Sequence, residues 1–276
     1  MIKVIVAGAA GRMGGRLVSL LKDSAALTLA GAVESKGHVS IGEDAGEIAG
    51  CGQIGVLIRD DLSAVMDRGE VVIDFSTPAA TLDHLRIAAQ HRRAMVIGTT
   101  GFASRELEEL RALAKQIPCV FSPNMSVGVN VIFKVIAEMA KTLGDDYDLE
   151  VIEAHHRLKK DAPSGTALKM AEILAKAMNR DLEQMGVYAR KGLVGERKRG
   201  EIGIQTIRAG DIVGDHTILF GGMGERVEVT HRVQSRDTFA RGALRAARWV
   251  VKQPPGLYDM MDVLGLRSGQ SSLSTP

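Results

Sequence analysis

The 276-residue chain carries 35 Lys and Arg against 33 Asp and Glu, for a formal net charge of +2. Its 45% hydrophobic, 25% charged and 4% aromatic content is that of a soluble globular protein of one large or two ordinary domains, with cores of Val, Ile, Leu, Ala and Met. So small a charge, with no basic tract interleaved with aromatics, excludes a nucleic-acid partner.

Residues 2–6, Ile-Lys-Val-Ile-Val, read as a buried parallel strand ended by Gly8. The apolar run is too short, and too poor in flanking basic residues, for a secretory leader. No stretch nears the roughly 20 apolar residues that span a bilayer, so no membrane partner is expected. The two cysteines, Cys51 and Cys119, lack CxxC-type spacing and suit a reducing cytoplasm, the expected location.

Residues 12–22 are expected to be helical, with Leu17, Val18, Leu20 and Leu21 as the apolar face, and residues 27–33 to form a second strand with Glu34 at its end. Strands then alternate with helices: 56–58 with a helix from Asp60, 71–75 with a helix from Pro78, 95–97 with a helix from Ser104, and 119–121. That rhythm predicts an α/β fold, a Rossmann-type doubly wound parallel sheet. Near Asn124 it changes. A long helical pattern (127–143), a strand (149–154) and a helix (165–178) precede three strand-like runs without intervening helices, at 202–209, 215–220 and 226–233. These predict a second, α+β domain with a mixed sheet. Residues 237–252 return to helix and 268–276 read as a loose tail. The expected division is a dinucleotide-binding domain of residues 1–126 plus 237–276, and a substrate-binding and oligomerisation domain of residues 127–236.

The first turn, Gly8-Ala9-Ala10-Gly11-Arg12-Met13-Gly14, has glycines spaced GxxGxxG rather than GxGxxG. One glycine ends the strand, another admits a pyrophosphate to the backbone, and the last permits close helix–strand packing. Free N–H groups at the helix start would face phosphates. The competing interpretation is a plain strand–helix turn. Glu34, about twenty residues on, can accept hydrogen bonds from ribose hydroxyls, which favours NADH; Ser35 and Lys36 can contact a 2′-phosphate, which keeps NADPH open. As a plain strand-end acid, Glu34 would only be solvated. Two further turns, Gly98-Thr99-Thr100-Gly101 and Ser122-Pro123-Asn124-Met125, follow parallel strands where ligands bind in open sheets, although Gly, Thr, Pro and Asn are also ordinary turn residues. In Asp74-Phe75-Ser76-Thr77-Pro78 a helix-capping role is favoured over chemistry.

Residues 153–167, Glu-Ala-His-His-Arg-Leu-Lys-Lys-Asp-Ala-Pro-Ser-Gly-Thr-Ala, leave a strand, concentrate basic and titratable side chains, and open a helix. Ser164 can cap that helix, and Gly165 lets backbone approach a ligand. Such a place suits an anion, with Lys159 and a histidine as cations and the N–H groups of Gly165 and Thr166 as donors. Hydride delivery also needs a proton source, which a histidine or a lysine ammonium supplies. The competing interpretation is a solvated basic loop. The HxxxH spacing of a helical metal site is absent, and no metal is expected.

At these residues the chain resembles the 4-hydroxy-tetrahydrodipicolinate reductase (dihydrodipicolinate reductase) family. The resemblance runs in order through residues 8–14, Asp74-Phe75-Ser76, Gly98 to Phe102, Asn124 to Asn130, and the 153–167 string. It implies that His155 is the general acid/base and Lys159 the proton donor. It also implies that His156, Gly165 and Thr166 bind substrate carboxylates. Cofactor contacts would come from Gly8, Ala9, Ala10, Gly11, Arg12, Met13, Glu34, Gly98, Thr99, Thr100, Ser122, Pro123, Asn124 and Met125. Ser35 stands where some members have an arginine for the 2′-phosphate, and Met125 where phenylalanine is frequent. The implied activity is NADH- or NADPH-dependent reduction of a cyclic unsaturated dicarboxylate in lysine and diaminopimelate synthesis. The implied assembly is a homotetramer built through the second domain's sheet, each subunit closing about a hinge. Two alternatives stand beside it: an amino-acid dehydrogenase such as an aspartate dehydrogenase, and a nicotinamide-sensing regulator without turnover.

Overall fold

In the computed structural model, which describes residues 1–267, the chain divides into two compact units: residues 1–127 with 236 onward, and residues 128–235. The expected tail at 268–276 lies outside the described residues.

In unit 1 the elements run β1 (Ile2–Ala7), α1 (Arg12–Lys22), β2 (Leu27–Val33), α2 (Ala45–Ile48), β3 (Ile58–Arg59), a 3-10 turn (Ser63–Arg68), β4 (Val71–Asp74), α3 (Pro78–Gln90), β5 (Ala94–Ile97), α4 (Ser104–Leu113) and β6 (Pro118–Phe121). Among the described residues these strands form a sheet in the order β6-β5-β4-β1-β2-β3, with parallel pairing throughout. Alternation along β1 shows why it is wound on both faces. Val4 and Val6 belong to a core packed with α1, whereas Ile5 and Ala7 belong to a second core with Leu82, Leu85 and Leu110 of α3 and α4. All four are buried, so both faces must be covered.

Unit 2 contains most of α5 (Val127–Leu143), then β7 (Asp148–His155), α6 (Gly165–Ala177), α7 (Leu182–Met185), β8 (Gly186–Val187), β9 (Ile202–Arg208), β10 (Gly214–Gly221) and β11 (Arg226–Val233). Its sheet runs β11-β10-β7-β9-β8. The β10 strand is antiparallel to β11 and β7, whereas β7–β9 and β8–β9 are parallel, so the sheet is mixed as expected. Leu149 and Val151 of β7, Ile204 of β9, and Ile218 and Phe220 of β10 pack under Ile136 of α5 and Met170 and Leu174 of α6. Beyond Ser235 the chain re-enters unit 1 as α8 (Asp237–Val250), β12 (Gly256–Tyr258) and α9 (Met260–Val263). There β12 adds to the sheet edge, parallel to β6.

Two sequence expectations differ from this picture. The third strand is only Ile58–Arg59, and the helix expected from Asp60 is a 3-10 turn over Ser63–Arg68. Here Asp44, 5% exposed, accepts from the Gly46, Ile54 and Gly55 amides, and this loop bonding takes the place of a longer strand.

Candidate active site

The glycine turn of unit 1 is built by close approach of backbone to backbone. Gly8 has φ +71°, a conformation open chiefly to glycine. The amides of Gly8 and Ala9 both donate to the Val33 carbonyl, at 2.9 and 3.0 Å. A Cβ on Gly14 would lie 2.0 Å from the Gly8 carbonyl oxygen, so α1 can seat against β1 only with glycine there. Gly11 precedes α1 with no side-chain cap, leaving the first amides of that helix directed out of the turn. Glu34 closes back onto the same turn: its Oε2 accepts from Ala10 N at 3.2 Å and its Oε1 from Ser35 N at 2.9 Å.

A cavity of about 620 Å³ opens here, bordered by Gly8, Gly11, Glu34, Lys36, Ser76 and His84 among others. Beneath it the fully buried Asp74 accepts from Ser76 Oγ at 2.6 Å and pairs with His84 Nδ1 at 2.7 Å. Thr99 joins this network, donating to Asp74 at 3.5 Å and accepting from Thr81 Oγ1 at 2.8 Å. The Gly98 amide donates to the Asp74 carbonyl, and a Cβ there would strike the Phe75 ring at 2.1 Å. Thr100 is exposed. Ser122 is buried with its hydroxyl on the Asn124 carbonyl at 3.0 Å, and Met125 is buried in the core. Gly8, Gly11 and Glu34 therefore share one cavity, while the 98–100 and 122–125 turns lie at the carboxyl ends of the adjacent strands β5 and β6.

In unit 2 the β7 face that is apolar at Leu149 and Val151 becomes polar at Glu153 and His155, still two residues apart and still buried. Register brings His216 of β10 opposite Glu153, and Arg208 of β9 opposite His155. Glu153 Oε2 contacts His155 Nδ1 at 2.5 Å, and Oε1 accepts from Ser164 N at 3.0 Å. Arg208 grips both oxygens in a fork, at 2.9 and 2.8 Å. Burial works to raise the Glu153 carboxyl, but the Arg208 and His155 hydrogen bonds outweigh it and hold it below the usual range. Burial pulls His155 below its ordinary value against the opposing effect of Glu153. At neutral pH the arrangement is a carboxylate, a guanidinium and a neutral imidazole.

Ser164 caps α6, accepting from Ala167 N at 3.1 Å and bonding His216 Nε2 at 3.0 Å. Burial pushes His216 down to about 3, and its ring meets that of His155 edge-on with centroids 5.2 Å apart. Gly165 is exposed at the helix start, and a Cβ there would meet nothing within 4 Å. Lys159 pairs with Asp161 at 2.9 Å, its side chain 20% exposed. His156 is half-buried, and its Nδ1 has no hydrogen-bond partner among the described residues. The structure thus gathers His155, Ser164 and the start of α6 around Glu153. Sequence reasoning gave no role to Glu153, Arg208 or His216; the period-2 placement of Glu153 and His155 was the available signal. Among the described residues no group of three or more His, Cys, Asp or Glu is placed to hold a metal, and no helix is long and apolar enough to cross a membrane.

Unit 1 has the architecture of a pyridine-nucleotide-binding Rossmann domain, and the protein is of the class of oxidoreductases that join such a domain to a separate mixed-sheet unit. Residues 2–125 match the family model "Dihydrodipicolinate reductase, N-terminus", and residues 128–264 match "Dihydrodipicolinate reductase, C-terminus". The chain belongs to the dihydrodipicolinate reductase family. It is 56% identical to the 4-hydroxy-tetrahydrodipicolinate reductase of Syntrophus aciditrophicus over 268 residues, covering 97% of this chain and 100% of the relative. The same enzyme of Syntrophobacter fumaroxidans is 56% identical over 267 residues, with the same coverage. Among solved structures, a dipicolinate-bound dihydrodipicolinate reductase from Paenisporosarcina sp. TG-14 shares the fold, with a TM-score of 0.74 at 24% identity, covering 95% of this chain and 98% of that one. An amine dehydrogenase from Mycobacterium smegmatis is more distant, at 0.56 and 15% identity, covering 93% and 94%.

Proposed function

We propose that the protein reduces 4-hydroxy-tetrahydrodipicolinate to tetrahydrodipicolinate with NADH or NADPH, in lysine and diaminopimelate synthesis. The observation that carries this is the Glu153–His155 pair set beside Lys159 and the open start of α6, in a chain 56% identical to reductases of that name. The net change adds a hydride and a proton and removes water. The dinucleotide, when bound, supplies the hydride. The glycine turn fits it: Gly14 admits no side chain, Gly11 leaves the helix start uncapped, and the cavity beside them is bordered by Glu34. Gly8 to Met13 would hold the pyrophosphate, Glu34 the adenosine ribose, and the 98–100 and 122–125 turns the nicotinamide end. Given the buried Met125 side chain, that residue would contribute through its backbone.

In unit 2 the substrate's carboxylates would lie on the first amides of α6, at Gly165 and Thr166, with His156 beside them. Lys159 would give the proton, and His155 would act as acid/base near the reacting bond. Subunits would pair into a homotetramer through the outer face of the second sheet, where Ile207 is 48% exposed and α5 and α6 cover only the opposite face. A cytoplasmic location suits a biosynthetic enzyme of this kind.

The test is oxidation of NADH and of NADPH with the cyclic dicarboxylate, against oxaloacetate plus ammonia. Turnover is expected only with the former, and His155→Ala or Lys159→Ala should cost about 10²–10⁴ in kcat. Near-normal turnover in both variants overturns the residue roles, and turnover confined to oxaloacetate overturns the substrate.

A further inference from the structure

Glu153 is completely buried, and every polar group that reaches it is a donor or can become one. An ionised carboxylate has about four acceptor positions. Three are filled by groups that can only donate: the two Arg208 N–H groups and the Ser164 amide. The fourth faces His155 Nδ1 at 2.5 Å. With Glu153 ionised, that nitrogen must carry hydrogen, because two acceptors would otherwise face each other in a buried site. Nε2 is then the nitrogen that takes up and gives back a proton. A Cβ built on Gly214 would lie 3.1 Å from it, a tight contact that the glycine avoids. The other oxygen holds Ser164, the residue that caps α6.

We infer that Glu153 is a positioning residue, a single carboxylate that fixes His155 with hydrogen on Nδ1 and, through Ser164, fixes the start of α6 in the same frame. The inference rests on the proposed role of His155. Arg208 keeps the carboxylate charged and locked in rotamer, and its NH2 group extends the clamp to the Asp161 carbonyl at 2.6 Å. The ring is faced by Glu153 on its own strand, His216 and Gly214 on β10, and Arg208 on β9. Lys159, in the following loop, adds its positive field. Among these, Glu153 alone is an anion in contact with His155. A glutamine at 153 offers an amide N–H₂ in place of one oxygen, and that group faces a donor whichever way it turns. Ser164 N–H cannot reverse; the imidazole can, by moving its hydrogen to Nε2.

The experiment reads the ring directly. In protein labelled with ¹⁵N-histidine, the neutral His155 signal is assigned by comparison with His155→Gln. The expected wild-type state is hydrogen on Nδ1 and a bare Nε2; hydrogen on Nε2 overturns the inference without any variant. In Glu153→Gln the hydrogen should move to Nε2, with kcat lowered about 10²–10⁴-fold, the range for a histidine held in the wrong tautomer or lost from proton transfer. Unchanged ring signals and kcat in a folded Glu153→Gln protein also overturn it. If that variant fails to fold, Glu153→Asp keeps the charge but withdraws it by one methylene. It should lose kcat more than KM and weaken the Nδ1 hydrogen bond. A wild-type ring as expected in a protein without reductase activity would sink the functional proposal and leave the positioning of the ring standing.

Discussion

Glu34 is held by its own loop at the edge of the cavity where the proposed cofactor's ribose would lie. Its two oxygens accept from Ala10 N and Ser35 N, so the carboxylate is held at the mouth of the glycine turn rather than waving in solvent. There it can accept from a ribose 2′-hydroxyl, but it repels a 2′-phosphate. Lys36 borders the same cavity and has the opposite preference. Glu34→Ala should therefore raise the KM for NADH by about tenfold, the worth of one charge-assisted hydrogen bond, while the KM for NADPH stays level or falls. An unchanged ratio of the two would show that Glu34 does not read the ribose. Glu34 and the glycines are legible in sequence because turn, helix and acid follow one another within some 25 residues. His155, Lys159, Gly165 and Thr166 are legible for the same reason. Arg208 and His216 are not, because strand pairing delivers them from more than 50 residues away and nothing local marks them. Glu153 was in plain view. Its importance comes from partners that only the folded sheet supplies.

At the scale of elements, small residues decide which helices can touch which strands. On α8, Ala240, Ala243, Ala246 and Ala247 are buried with Gly242 among them, and a Cβ at Gly242 would stand 1.7 Å from the Met125 carbonyl oxygen. That obstacle is backbone and cannot swing aside. Gly242→Ala should cost about 3 kcal/mol or more, read as a fall in the urea midpoint at unchanged slope. Gly15 on α1 is the control, since its Cβ would meet Ala49 at an ordinary 3.8 Å. Gly15→Ala should stabilise by up to about 1 kcal/mol through helix propensity. Equal effects of the two substitutions would mean that contact with β6's following loop does not set the position of α8. Hydrophobic periodicity located α8 and the strands β1, β2, β4, β5 and β6 because each buries a face broad enough to print its spacing on the sequence. It did not locate β12, whose Gly-Leu-Tyr gains its strand character only from pairing with β6. It overextended the third strand and its helix, where Asp44 organises the chain by loop bonding that has no period.

At the scale of the molecule, the two units differ in what they bury. Unit 1 has two apolar cores on either side of a parallel sheet, whereas unit 2 has one apolar core that gives way to charge and imidazole along the same sheet face. Among the described residues the three histidines displaced downward by burial, His155, His216 and His231, all lie in unit 2. Burial displaces His216 from 6.5 to about 3. Above pH 6.5 it is neutral whether the chain is folded or not, and it contributes no pH dependence. Below 6.5 the unfolded chain binds a proton that the folded chain refuses until about pH 3. Unfolding is then favoured by up to about 1.4 kcal/mol for each pH unit, with His155 and His231 adding in the same direction. Stability should fall as pH drops from 6.5 toward 4, and it should fall first where these rings are buried. Hydrogen exchange at pH 7.5 and pH 5 is the measurement: amides of β7 and β10 should lose protection while those of β1, β4 and β5 keep it. His216→Gln retains a polar partner for Ser164 but cannot take up the proton, and should flatten the acid limb of the urea midpoint. An acid limb equally steep in that variant, or protection lost first in β1 and β4, would place the acid sensitivity outside the buried imidazoles.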